Sequence, residues 1–355
     1  MKSLTEDDRD AKPAKEPAQT AVTKVINLAL QGGGSHGAFT WGVLDRLLEE
    51  ERLSFDGVTG TSAGAVNAVV LADGLAAGGR KEARRSLEAY WKKVSDLAAF
   101  SVFRPSPFDK VNPDFGLEHS PGYLFMESMT YFASPYQMKP LNYNPLRDLI
   151  AETINFERVH QQKNIKLFLN ATAVRTAKVK VFSGDEITVD SVLASTCLPL
   201  MMQAVPINGE YYWDGSFSGN PAIFPLLFNC DARDILMVHI TPADRPEVPT
   251  TSPAIMNRMQ EISFNTSLIR EMRTLAYLTK QIDDGNMKGV KRTLVHLIEA
   301  EDLIRKLSWS SRLNGDWDFL TYLRDLGRER AGKWLAANFE RIDVESTLNL
   351  QEKYF

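Results

Sequence analysis

Apolar runs and helical periodicity alternate through the first hundred residues. Residues 25–30 form a mostly apolar run with β-branched side chains that ends at glycines, which is typical of a strand buried on both faces of a parallel sheet. Residues 38–51 then carry apolar side chains at helical spacing. A second short strand at 56–60 and a small-residue helix at 63–73, ending at Gly74, are predicted next. The order strand, helix, strand, helix predicts an α/β fold with a mostly parallel, helix-covered sheet.

The same patterns predict the elements that follow. The predicted strands are 165–172, 234–240 and 293–298, with a hairpin at 206–213 around Asn208-Gly209. A further strand pair is predicted across the turn at 183–185, formed by residues 179–182 and 187–189. The predicted helices are 81–97, 144–150, 191–197, 254–282 and, as one or two helices, 316–339.

Residues 100–143 differ from their surroundings because they are rich in proline and in aromatic side chains. Regular structure there must be short, and a long irregular insertion is often a lid or a binding loop. A packed surface excursion explains the pattern equally well. The apolar segment 198–202 likewise fits either the lining of an acyl-chain channel or ordinary core packing. The basic side chains of the 254–282 helix fit a solvated face or a face toward an anionic membrane.

Composition and charge narrow the class of protein. With 355 residues, 44% of them hydrophobic and 24% charged, the chain fits one large globular domain better than two. We predict a disordered tail at 1–22, then a single domain at 23–355 with the insertion at about 100–143 and a helical extension at about 250–355. The net charge of −4 gives no reason to expect a nucleic-acid partner.

Long apolar segments and cysteine motifs are both missing from the sequence. Because no stretch suits a secretory signal or a membrane-spanning helix, we expect a cytoplasmic protein whose membrane contact, if it has any, is peripheral. The two cysteines, Cys197 and Cys230, form no metal-ligand pattern and no disulfide framework. We therefore expect no metal and no cofactor, whereas the sequence does not indicate an oligomeric state.

Two glycine-rich turns carry the candidate chemistry. Gly32, Gly33 and Gly34 follow a strand and open a helix, a geometry in which free backbone N–H groups can hold an anion. The segment Gly60-Thr-Ser-Ala-Gly64 matches G-x-S-x-G, which places Ser62 on a sharp strand-to-helix turn as an exposed nucleophile. An oxyanion hole beside a serine nucleophile is the interpretation that uses both turns. A phosphate-binding module without catalysis is the alternative for the glycine loop.

A serine hydroxyl needs a base to activate it. Asp214 lies at a predicted strand end, followed by Gly215 and preceded by aromatic residues, so burial can raise its basicity. A conventional Ser-Asp-His triad is the alternative, with His239 or His296 as the base. Both histidines lie inside apolar strand-like runs, where a core histidine is the commoner case, and the sequence excludes neither.

The glycine loop 32–37, the G-x-S-x-G at 60–64 and Asp214-Gly-Ser216, in this order, resemble the patatin-like phospholipase family. The resemblance covers about residues 24–245. It implies a three-layer α/β/α fold with a central, mostly parallel sheet and a hydrolase that cleaves acyl esters of lipids. It further implies Ser62 as the nucleophile, Asp214 as the general base, and an oxyanion hole at Gly32, Gly33 and Gly34. Lipids or other acyl esters would be the substrates.

Two positions depart from the family pattern. The family's glycine loop usually carries Arg or Lys where this chain has His36, next to Gly37, and the Asp motif usually continues as Gly-Gly or Gly-Ala where this chain has Gly215-Ser216. We therefore treat His36 and Gly37 as modulating positions. A histidine with a reference pKa near 6.5 predicts that activity or substrate preference changes with pH in that range.

Overall fold

A computed structural model of the chain describes residues 23–138 and 144–355. The predicted tail at 1–22 and the last residues of the insertion, 139–143, lie outside the described residues. The strands are β1 (Lys24–Leu30), β2 (Leu53–Thr61), β3 (Lys166–Ala173), β4 (Val179–Ser183), β5 (Val205–Ile207), β6 (Glu210–Asp214), β7 (Asp234–His239) and β8 (Leu294–Glu299).

All eight strands belong to one sheet. Its order is β5-β6-β3-β2-β1-β7-β8, and β4 also pairs with β3. The five strands β3, β2, β1, β7 and β8 are parallel neighbours, whereas β4, β5 and β6 are joined by antiparallel pairing. The predicted mostly parallel sheet is confirmed.

The helices cover both faces of this sheet. They are α1 (Gly37–Leu47), α2 (Ala63–Ala98), α3 (Pro107–Val111), α4 (Pro121–Phe132), α5 (Pro135–Met138), α6 (Pro145–Thr153), α7 (Phe156–Gln161), α8 (Val189–Ser195), α9 (Phe224–Asn229), α10 (Ser252–Asp283), α11 (Glu301–Ile304), α12 (Trp317–Asn338) and α13 (Leu350–Tyr354). Short 3-10 helices include Gly34–His36 and Ser310–Leu313.

Two apolar cores follow from the alternation of side chains along the strands. Leu28 and Leu30 of β1 point into the core formed with α1, α2 and α12, whereas Ala29 points into the core with α9, α10 and α13. The architecture is therefore three-layer α/β/α, as the sequence predicts.

Two local expectations differ from the structure. The first helix of α2 does not end at Gly74 but continues to Ala77. The backbone is non-helical at Gly78 and Gly79, where Gly79 has φ +72°, and the second helix of α2 follows at 80–98, close to the predicted 81–97. Gly74 instead permits close packing, since a Cβ there would lie 2.4 Å from Cα of Ala83. The predicted strand pair 179–182 with 187–189 is also wrong.

Residues 187–189 leave the sheet because Thr188 begins a helix. Its side chain accepts a hydrogen bond from the Ser191 N–H, and the Ser191 side chain accepts one from the Thr188 N–H. Strand β4 pairs with β3 instead.

The region at 250–355 is more than a helical extension. Strand β8 extends the sheet beyond β7, and α12 packs along α1. Among the described residues, no helix is both long enough and apolar enough to cross a membrane.

Candidate active site

Ser62 lies alone between the end of β2 and the start of α2. Its backbone angles, φ 54° and ψ −124°, are in a region that non-glycine residues rarely occupy. The Ser62 N–H donates to Oγ of Ser195 at 2.9 Å, and that hydroxyl donates to the Asn170 carbonyl at 2.7 Å. These two hydrogen bonds tie the sharp turn predicted from G-x-S-x-G to α8 and β3.

The two flanking glycines are required by close contacts. A Cβ at Gly60 would lie 2.5 Å from the Gly64 carbonyl oxygen, and a Cβ at Gly64 would lie 2.2 Å from the Leu30 carbonyl oxygen. Gly37 has a similar role, because a Cβ there would lie 2.6 Å from Cβ of Ala63. These glycines allow the first turns of α1 and α2 to meet beside Ser62.

Asp214 is buried at the end of β6, opposite Ala171 of β3. Burial raises the pKa of Asp214 to about 6, although hydrogen bonds from the Ser216 N–H, from Ser62 and from the Ser216 side chain favour its charged form. The Ser216 N–H donates to Oδ1 of Asp214 at 2.8 Å. The structure thus brings the predicted nucleophile and base together, with the carboxyl poised to accept a proton near neutral pH.

The three glycines of the loop differ in the hydrogen bonding of their backbone N–H groups. The Gly32 N–H donates to Oδ1 of Asn220 at 2.7 Å, so it is not free to bind an oxyanion. Gly32 is instead the point of close approach, since a Cβ there would lie 2.7 Å from Cβ of Ser62. In the described part of the chain, the N–H groups of Gly33, Gly34 and Ala63 have no hydrogen-bond partner. These three residues and Ser62 line one cavity, which is described below.

His36 does not line the cavity that contains Ser62. Its Nε2 pairs with Oγ of Ser311 at 2.7 Å and its ring packs edge-on against Phe319. Burial and the positive charge of Arg312 hold the pKa of His36 well below its usual value. The predicted titration of His36 near pH 6.5 is therefore wrong, because the ring stays neutral there.

A cavity of about 990 Å³ opens in front of Ser62 and Asp214. Its walls are mostly apolar and come from α2, the 198–201 segment, α10 and α4 of the predicted insertion. Tyr123 and Tyr131 of α4 line the cavity, so this part of the 100–143 insertion contributes to its wall. The apolar 198–201 segment lines the same space, as its acyl-channel interpretation requires.

The two alternative histidines are engaged elsewhere. Nε2 of His239 lies 3.2 Å from Oδ1 of Asn265, and its Nδ1 lies 3.4 Å from Glu299. His296 is fully buried between Asp234, at 2.8 Å, and the Thr347 hydroxyl, at 3.0 Å. Neither histidine lines the cavity that contains Ser62.

The structure adds residues that the sequence reasoning missed. Asn220 accepts the hydrogen bond of the Gly32 N–H, Ala63 follows Ser62 in the elbow, and the Ser216 side chain hydrogen-bonds to Asp214. Arg312, far along the chain, lines the cavity beside the glycine loop. The sequence signal for Asn220 was its place in the same short segment as Asp214, whereas Arg312 had none. In the described residues, no group of three or more His, Cys, Asp or Glu side chains is arranged to hold a metal ion.

Solved structures to which the chain shows similarity include two bacterial proteins. VipD from Legionella pneumophila is 16% identical with a TM-score of 0.33, and the alignment covers 85% of this chain and 67% of VipD. ExoU, solved with SpcU from the type III secretion system of Pseudomonas aeruginosa, is 13% identical with a TM-score of 0.35, covering 91% of this chain and 54% of that one. This chain thus spans about two thirds of VipD and about half of ExoU. No curated protein sequence matches it.

A family model gives the decisive comparison. The model described as patatin-like phospholipase matches residues 28–227, more than half of the 355 residues. The match includes the glycine loop, the Ser62 elbow and Asp214, the three segments on which the resemblance was first based. The chain belongs to the patatin-like phospholipase family.

Proposed function

We propose that the protein is a serine hydrolase that cleaves acyl ester bonds of lipids through a Ser62–Asp214 dyad. The observation that carries the proposal is the pairing of a strained, cavity-facing Ser62 with a buried carboxyl whose pKa is raised to about 6. The free N–H groups beside them supply the anion site that an ester reaction needs. Family membership supports the same reaction class.

In the proposed reaction, the Ser62 oxygen attacks the ester carbonyl carbon while its proton passes to the Asp214 carboxylate. The negative carbonyl oxygen is held by the N–H groups of Gly33 and Gly34, with Ala63 adjacent. The intermediate collapses and expels the alcohol, which takes the proton from Asp214. Water then attacks the acyl-enzyme carbonyl and gives a proton to Asp214. The second intermediate collapses, Asp214 returns this proton to the Ser62 oxygen, and the fatty acid is released. This sequence of steps needs neither a metal nor a cofactor.

The surface around the cavity mouth supports action on lipid at a membrane surface. Helix α4 buries none of its side chains, and Phe125 and Phe132 are 62% and 84% exposed. On α10, Met256 lines the cavity, and Met259 nearby is 59% exposed. We propose peripheral contact of these helices with a lipid surface, from which an acyl chain enters the apolar cavity. The two free cysteines fit the predicted cytoplasmic location.

Labelling with a fluorophosphonate probe tests the proposal. The folded protein should be labelled at Ser62, mapped by peptide mass spectrometry, and the Ser62→Ala variant should not be labelled. The wild-type protein should also release fatty acid from a short-chain acyl ester. A folded protein that shows neither labelling nor release would support a non-catalytic phosphate-binding module instead.

A further inference from the structure

Arg312 is a buried cation without a carboxylate partner. The residue is 7% exposed, and its guanidinium makes a single hydrogen bond, from Nη1 to the Thr241 hydroxyl at 3.3 Å. Its Nε is buried without a hydrogen-bond partner. Across residues 23–138 and 144–355, no Asp or Glu side chain lies within ion-pair distance of Arg312. Burying a charge in this way is unfavourable unless an anion compensates it.

The nearby acidic residue is already neutralised. Glu261 forms ion pairs with Arg245 at 2.6 Å and with Arg258 at 3.1 Å. Two arginines therefore pair with this one carboxylate, which acts on Arg312 only from a distance. His36 nearby is neutral because its pKa is lowered. Burial lowers the pKa of Arg312 only to about 10, so its charge persists at neutral pH. An uncompensated positive charge remains at this end of the cavity.

Arg312 packs against Gly33 and Gly34, the residues proposed to bind the ester carbonyl oxygen. Its Nη1 would lie 3.1 Å from a Cβ at Gly33, and its carbonyl oxygen would lie 2.3 Å from a Cβ at Gly34. The guanidinium is held over the Trp309 ring at 4.3 Å. Within the described residues, Arg312 is the only cationic side chain that lines the cavity. The glycine loop has His36 where the family usually has Arg or Lys. Arg312, which lies outside the family-matched residues 28–227, places a positive charge next to the same loop.

We propose that Arg312 binds the phosphate of a phospholipid substrate and makes the site select phosphodiester-bearing acyl esters over neutral glycerides. The inference rests on the proposed function and adds the substrate class. A guanidinium with an unused Nε edge matches phosphate oxygens, which accept two parallel hydrogen bonds. In a glycerophospholipid only the glycerol backbone separates the phosphate from the ester carbonyl. An ester held at Gly33 and Gly34 therefore has its phosphate beside this side chain.

Two substrates with the same acyl chains test the inference, dihexanoylphosphatidylcholine and dihexanoylglycerol, both below their aggregation concentrations. For Arg312→Gln, kcat/KM on the phospholipid should fall roughly 10- to 100-fold, the loss expected for a hydrogen-bonded charge pair. On the neutral ester it should stay within about threefold. Arg312→Lys should recover part of the phospholipid activity. Arg258→Gln, which removes an arginine that is ion-paired and does not line the cavity, should not change the substrate ratio.

Controls separate this inference from the proposed function. Arg312→Gln should still be labelled at Ser62 by the neutral fluorophosphonate probe, which reports a folded protein with an accessible nucleophile. Equal losses on both substrates, or no loss on either, would overturn the assignment of Arg312. Without any variant, glycerophosphocholine should slow labelling of the wild-type protein more than glycerol does, and equal effects would also overturn it. If the wild-type protein cleaves neither ester, the proposed function itself fails.

Discussion

Replacing Asp214 with Asn should stabilise the protein while it removes activity. Burial raises the pKa of the Asp214 carboxyl to about 6, compared with 3.8 for an exposed aspartate. The folded state therefore binds the proton more tightly than the unfolded state, and folding stability falls as pH rises from about 4 to about 6. Asn has the same shape and keeps an oxygen for the Ser216 N–H, but it carries no charge that must be buried.

The size of the effect follows from the pKa difference. A difference of about two units corresponds to about 3 kcal/mol of unfolding free energy at pH 8, where Asp214 is charged in both states. At pH 5 the folded carboxyl is mostly protonated, and the expected gain falls to about 1.5 kcal/mol. The gain from Asp214→Asn should thus be about twice as large at pH 8 as at pH 5.

Urea unfolding at the two pH values measures this gain. The matched control is Asp185→Asn, because Asp185 is exposed in a surface turn and its carboxylate stays hydrated when the chain folds. That variant should show no pH-dependent gain. Destabilisation of the protein by Asp214→Asn at pH 8, or equal stabilisation at both pH values, would show that burial does not raise the pKa of Asp214 as described.

The remaining predictions concern the pH dependence of catalysis. The wild-type kcat/KM should rise with pH, with a midpoint at about 6, as Asp214 loses its proton. The His36→Gln variant should keep this midpoint, because His36 is neutral in this range. A midpoint that moves in His36→Gln would contradict the assignment of the titration to Asp214. Ser216→Ala removes a hydroxyl that favours the charged form of Asp214, so the midpoint should move up by about one pH unit while the rate at pH 9 changes little. A midpoint that stays in place would show that the Ser216 hydroxyl does not act on the base.

Local sequence patterns predict the segments of the candidate site well because short-range geometry fixes them. The strand, glycine turn and helix around Gly32, and the elbow at Ser62, each depend on contacts that small residues at fixed spacing permit. Asp214 was found for a similar reason, since a carboxyl at a strand end before glycine is visible in the sequence. Its nearness to Ser62 was an inference from the family resemblance.

Contacts between distant segments explain what the sequence did not reveal. Asn220 occupies the Gly32 N–H across 188 positions in the chain, so it removes one expected oxyanion donor. Arg312 reaches the glycine loop only because the Ser310–Leu313 turn packs against Gly34–His36. Gly74 looked like a helix end, but tertiary packing against Ala83 gives it a different role. Neither spacing nor periodicity carries information about such contacts.

In the proposed mechanism, Ser62 and Asp214 suffice for ester cleavage without a histidine. The most direct measurement compares hydrolysis of one monomeric acyl ester at pH 8 by four proteins: wild type, Ser62→Ala, Asp214→Asn and His239→Gln. If the dyad carries the reaction, Ser62→Ala and Asp214→Asn lose roughly 10³-fold or more of kcat, whereas His239→Gln stays within about threefold of wild type. Retained activity in Asp214→Asn, or its loss in His239→Gln, would contradict the dyad.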